Sequence, residues 1–282
     1  MLVIRISDDR IRLVLTGVAG AGKTVLALTY FALGLRPDES NYRIVDIYPP
    51  AFALKFAKWL DDLNEGTPPP ATIGYEEITI VAEYRGVPIT TTFRSMSGEL
   101  IAILGKDHSE EYLKYLSRTN KQLREIIEYI MYRSDMLILA YDPTAFRFNP
   151  HGKNFEEQFI QTKESIQQSR VLANLLLALY FRRSKKRLFG RVEKIDTPVC
   201  VAITKTDLFP NIRTEPLEWL RTVDGLLLGI LKNRYKKWKI APIAAYEKAR
   251  KIGDKGYVPE NGIKPYGVLE ILDYIVGIFH KK

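Results

Sequence analysis

The residues Gly17-Val18-Ala19-Gly20-Ala21-Gly22-Lys23-Thr24 form a complete G-x-x-x-x-G-K-[ST] loop. The apolar run Ile11-Arg12-Leu13-Val14-Leu15 precedes it, and the helix-forming stretch Val25 to Leu33 follows. Strand, glycine loop and helix in this order form a phosphate cradle. The glycines let the chain curl until its backbone N–H groups converge on an anion. The helix behind the loop adds the positive end of its dipole. Gly17, Ala19, Gly20, Ala21, Gly22 and Val25 are therefore expected to wrap a nucleoside triphosphate. Lys23 is expected to reach the β and γ phosphates, and Thr24 to ligate Mg²⁺.

The rest of the chain alternates strand and helix signals, which predicts an α/β fold: a mostly parallel central sheet flanked by helices. Met136–Tyr141 and Pro198–Thr204 are near-continuous apolar runs, as strands deep in a parallel sheet require. Tyr42–Ile47, Lys239–Ala244 and an edge strand at Met1–Ser7 are also expected. Glu77–Tyr84 and Val87–Phe93 flank Arg85-Gly86 and read as an antiparallel β-hairpin. Helices are expected at Thr24–Leu35, Ala51–Leu63, Ser109–Tyr132, Phe155–Phe181, Pro216–Leu231 and Gly267–Phe279. Pro68-Pro69-Pro70 can be neither helix nor central strand, so it is a stiff loop. No clear linker divides the 282 residues, so one domain is expected, with insertions at 37–71 and 145–195.

The net charge is +9. Arg182-Arg183-Ser184-Lys185-Lys186-Arg187 sets five cations in six residues after an apolar helix. Cations at a helix end suit its dipole. Five exceed that need, so an acidic partner or peripheral contact with an anionic membrane is expected through Arg182–Arg187, while nucleic acid is not expected as a partner. One cysteine, Cys200, sits in an apolar run, where a buried structural thiol in a reducing, cytoplasmic compartment fits. His108, His151 and His280 are scattered and form no Cys/His metal motif.

Three further features share one order. Thr204-Lys205-Thr206-Asp207 ends a buried strand and resembles the [NT]KxD base-reading motif of GTPases. One carboxylate, Asp207, can accept both the ring N1 and the exocyclic N–H groups of guanine, an arrangement that adenine lacks. Thr72-Ile73-Gly74 resembles the first switch of Rab- and Arf-like small GTPases. Ser95-Met96-Ser97-Gly98-Glu99 follows the hairpin where their second switch begins. The chain thus resembles the Ras-like, translation-factor-related class of P-loop GTPases. Lys58 to Pro69 also resembles an insert of prokaryotic double-GTPase-type members.

The resemblance implies GTP/GDP and Mg²⁺ as cofactors. Lys23, Thr72 and Gly98 would be the catalytic positions, Thr24 and Thr72 the metal ligands. Thr204, Lys205, Asp207 and Ala245 would take the base. It implies a GTP-binding switch read by an effector or activating protein. The chain departs from the family at three places. Ser95 replaces the Asp that holds Mg²⁺ through water, Glu99 the water-orienting Gln, and Ala244-Ala245-Tyr246 an S-A-K-like triplet. Slow or partner-stimulated hydrolysis is therefore expected. Two other readings fit parts of the chain. An ATP-using P-loop enzyme would employ Asp142 as an hhhhD metal ligand. A scaffold would hold nucleotide without hydrolysing it.

Overall fold

The computed structural model describes residues 10–67, 69–70, 75–96, 125, 127–184, 193–247, 249–251, 257–259 and 263–280. Seven strands form one sheet: β1 (Ile11–Thr16), β2 (Tyr42–Tyr48), β3 (Tyr75–Tyr84), β4 (Val87–Met96), β5 (Met136–Tyr141), β6 (Val199–Ile203) and β7 (Trp238–Pro242), in the spatial order β2-β3-β4-β1-β5-β6-β7. From β4 to β7 every pairing is parallel, while β2/β3 and β3/β4 are antiparallel. The fold is the expected α/β architecture of a P-loop NTPase.

Side-chain alternation along the central strands builds two cores. Leu137, Leu139 and Tyr141 of β5 face one side with Val199, Val201 and Ile203 of β6. Against them pack α3 (Lys163–Arg183), α4 (Pro216–Val223) and α5 (Gly225–Arg234). Leu13, Leu15, Met136, Ile138 and Cys200 face the other side. There they meet α1 (Lys23–Gly34), α2 (Ala51–Asn64) and α6 (Val268–Phe279). Strands covered on both faces must be apolar at every position, and every residue of β5 and β6 is buried. Cys200 is a buried free thiol whose pKa burial pushes up to about 12, so it is unreactive packing.

The hairpin forms at Arg85-Gly86, with both residues at positive φ (51° and 77°), the geometry that a two-residue turn demands. The strand expected at Tyr42 pairs outside it, in register Tyr42↔Tyr84 to Tyr48↔Thr79 with a bulge between Ile44 and Asp46.

Two expected helices are divided. Phe155–Phe181 breaks after the short turn Phe155–Gln158, because Phe159–Ile160 pairs with Arg147–Phe148. α3 then restarts at a capping box: the Ser165 N–H donates to Thr162 Oγ1, and the Thr162 N–H donates to Ser165 Oγ. Pro216–Leu231 breaks at Asp224, whose carboxylate accepts the Leu227 N–H and caps α5. Of Ser109–Tyr132, the end is described: residues 127 and 128 are helical and Tyr129–Arg133 is a π-turn. Met1–Ser7 lies outside the described residues. No helix among those described is long and apolar enough to cross a membrane.

Candidate functional site

The loop from β1 to α1 sits at the carboxyl ends of the parallel strands, where open α/β sheets take their ligands. Its first glycine is required by close approach: a Cβ on Gly17 would stand 2.6 Å from the Ala140 carbonyl oxygen of β5. Gly22 caps α1 at φ +78°, in the left-handed region. Ala19 and Gly20 form the exposed rim of the loop, and Ala21 is buried beneath it. No acidic residue occupies the first turn of α1, so nothing in that turn neutralises the positive end of its dipole.

Lys23 is the first residue of α1 and is buried. Its ammonium arches back over the loop and donates to Gly17 O at 3.0 Å and Val18 O at 2.8 Å. Burial lowers its pKa from 10.5 to about 8. Thr24 and Val25 follow on the same turn.

The loop after β6 is bonded directly to the loop after β1. The Thr204 hydroxyl donates to Ala21 O at 3.0 Å, and the Thr204 N–H donates to Tyr141 O at 2.9 Å. Thr206 donates to Ile243 O through both its hydroxyl (3.1 Å) and its N–H (3.2 Å), tying the loop to the end of β7. Lys205 adopts φ +54°, a conformation that non-glycine residues keep only where their surroundings hold them. Its ammonium pairs with Asp142 Oδ2 at 2.6 Å. The other Asp142 oxygen accepts from the N–H (2.8 Å) and hydroxyl (2.7 Å) of Thr144. Asp142 thus caps the turn after β5, with both carboxylate oxygens engaged.

A cavity of about 280 Å³ opens between these loops. Gly22, Val25, Thr204, Lys205, Asp207 and Ala245, all expected from sequence to bind nucleotide, line it. Burial raises the Asp207 pKa; its own N–H, then Arg213 and Lys205, oppose that shift. The cavity has a wall that sequence reading missed. Leu63 and Gly66, from the end of α2, line it together with Tyr246. The Tyr246 hydroxyl donates to Leu63 O at 3.2 Å, and the Ile263 N–H donates to Asn64 Oδ1 at 3.2 Å. These pairs lie more than 180 residues apart, so no local pattern marks them. The one visible cue is the aromatic residue following Ala244-Ala245.

Thr72, Gly98 and Glu99 lie outside the described residues. Ser95 lies on β4, in register with Leu15 two residues before Gly17. Its hydroxyl is buried and makes no hydrogen bond among the described residues. No group of three or more His, Cys, Asp or Glu among them could hold a metal ion.

Of the basic segment, Arg183 is turned inward. It donates to the carbonyls of Met131, Ile130 and Ser134 at 2.9 Å each, and to the hydroxyls of Ser134 and Thr197 at 3.0 Å. The π-turn leaves those carbonyls in need of donors, and a guanidinium meets several at once. Lys185, Lys186 and Arg187 lie outside the described residues.

No protein-family model matches this chain, and no curated protein matches it. Among solved structures it is similar to the structure of Methanosarcina barkeri Roco2 RocCORdC bound to GDP, at 15% identity and a TM-score of 0.36. The likeness covers 84% of this chain and 43% of that one, so this chain spans less than half of its length. At that level it says nothing of what this chain binds.

Proposed function

We propose that the protein is a GTP-binding switch with slow or partner-stimulated hydrolysis. One observation carries the reading. Gly22, from the Gly17–Thr24 loop, and Asp207 line one cavity, and the Thr204–Ala21 hydrogen bond ties their two loops together. A triphosphate on Gly17–Thr24 sets its base beside Asp207. A half-buried carboxylate needs donors, and guanine presents two N–H groups on one edge. Adenine offers no such pair there. Lys205, held by Asp142, forms one side of the base slot, and Ala245 and Tyr246 another.

The donors on hand suit a hard cation: the Thr24 hydroxyl, and the unpartnered Ser95 hydroxyl on the strand beside β1. With no carboxylate cluster described, Mg²⁺ would rely on the nucleotide's own oxygens and on Thr24, with Thr72 as a further ligand. When bound, it neutralises phosphate charge. Lys23 and the loop N–H groups stabilise the charge that develops as water attacks the γ phosphate. Gly98 would offer its N–H to that phosphate. Ser95 supplies a neutral anchor where the resembled family uses an anion, which weakens the metal site and slows turnover. In this reading the chain is one nucleotide-binding domain with inserts at 37–71 and 145–195.

The test is chromatography of the nucleotide released on denaturing the purified protein, followed by single-turnover hydrolysis. Guanine nucleotide, and hydrolysis at about 10⁻⁴–10⁻² s⁻¹ without a partner, are expected. Adenine nucleotide would overturn the assignment.

A further inference from the structure

Arg213 lies on the short helix Pro210–Thr214, immediately after the loop that bears Asp207. Its guanidinium spends its donors on carbonyls of the two loops that line the base cavity. Nε donates to Thr206 O at 3.2 Å, Nη2 to Tyr246 O at 3.1 Å and Nη1 to Glu247 O at 3.0 Å. The same group lies 4.6 Å from the centre of the Tyr266 ring. Tyr266 in turn exchanges two backbone hydrogen bonds with Ala244, at 2.9 and 3.2 Å. One planar fork therefore holds the loop after β6, the loop after β7 and, through its ring contact, the Tyr266 residue that bridges Ala244. No other cation among the described residues bonds to both loops.

From this geometry we infer that Arg213 is the positioning residue of the base pocket: it sets the distance between Asp207 on one loop and Ala245 on the other, and so sets base selectivity. The physical reason is the shape of the group. A peptide plane is rigid, so a carbonyl fixed on the guanidinium fixes the N–H on its opposite side. Thr206 O shares its peptide with the Asp207 N–H. Holding that plane, and the planes of Tyr246 and Glu247, holds both halves of the pocket in one frame. Lysine carries the same charge but has no fork with which to meet three carbonyls at set angles. Arg213 touches no base itself; it acts through the loops it ties.

The inference rests on the guanine reading above. It separates from a merely structural role through selectivity. General loosening weakens every nucleotide alike, since the phosphate loop supplies most of the shared contacts. Loss of loop register weakens guanine alone. The experiment measures GDP and ADP affinities by equilibrium competition on the full chain, for wild type, Arg213→Gln and Arg213→Lys. Supporting groups of this kind are worth about 10-fold or more to the site they hold. For Arg213→Gln the GDP affinity is expected to fall about 10-fold, with ADP unchanged within about twofold. The selectivity ratio falls accordingly. Arg213→Lys falls between the two and serves alone if the Gln variant does not fold. A selective wild type with equally selective variants overturns the inference and leaves the guanine reading standing. A wild type that does not prefer GDP overturns that reading, and the inference with it.

Discussion

In the proposed reading, the state of Lys23 makes nucleotide binding a proton-linked event. Burial places its pKa near 8 against an ordinary 10.5, while phosphates in contact with the ammonium restore the charged form. With a pKa of about 8, about half of the free protein should carry a neutral Lys23 at pH 8, so binding should take up about 0.5 proton. Uptake should be about 0.1 proton at pH 7 and about 0.9 at pH 9. Affinity should accordingly fall about twofold by pH 8 and about tenfold by pH 9, relative to its plateau at lower pH. Stability of the nucleotide-free protein moves in the opposite direction. A lysine whose folded pKa lies below its unfolded value leaves the unfolded state with more bound protons between the two. Stability should therefore rise from pH 8 toward 10.5. The limit is on the order of 3 kcal/mol for a shift of this size. The assay is calorimetry of GDP binding in two buffers of different ionisation enthalpy at each pH. Lys23→Met supplies the baseline, because guanine's own N1 proton titrates at the alkaline end. Proton uptake that does not grow between pH 7 and 9, or that matches Lys23→Met throughout, would refute the reasoning.

Three further outcomes are expected. Asp207→Asn keeps the shape of the pocket but presents a donor where an acceptor is needed; GTP should weaken by about 10- to 100-fold and xanthosine triphosphate should gain, read by competition binding. Gly17→Ala drives a Cβ to 2.6 Å from the Ala140 carbonyl oxygen, a backbone atom with little freedom to move. Denaturant melts should show a loss of about 2 kcal/mol or more, and unchanged stability would mean that the β1–β5 approach is looser than described. Arg183→Met leaves the carbonyls of Ile130, Met131 and Ser134 without their guanidinium partner. A loss of about 3 kcal/mol is expected in the same melts. Binding to anionic liposomes should not change with it, because the guanidinium already faces inward.

The glycine loop between β1 and α1, the parallel sheet and the place of Thr204–Asp207 at a strand end were legible because each rests on a local pattern. Fixed glycines mark the loop, and uninterrupted apolar runs mark β5 and β6. A strand end carrying Thr204–Asp207 marks the third. Helix breaks were harder to see. Thr162 and Ser165 form a capping box without the usual Glu or Gln, and Asp224-Gly225 interrupts an apolar stretch that reads as one helix. The role of Arg183 was hidden because its acceptors are backbone carbonyls, created by a π-turn roughly fifty residues away. Arg213, Tyr246 and Leu63 were missed for the same reason: their partners lie 7 to 183 residues distant, and no spacing rule marks a carbonyl.

Base choice is the central claim, and competition of GTP and ATP for the wild-type protein in Mg²⁺ tests it most directly. A carboxylate built to receive two N–H groups rejects a base that lacks them by about 100-fold or more. GTP should therefore displace a bound fluorescent guanine nucleotide at concentrations at least about 100-fold below those ATP requires. Equal displacement by the two nucleotides, or tighter binding of ATP, would contradict the account.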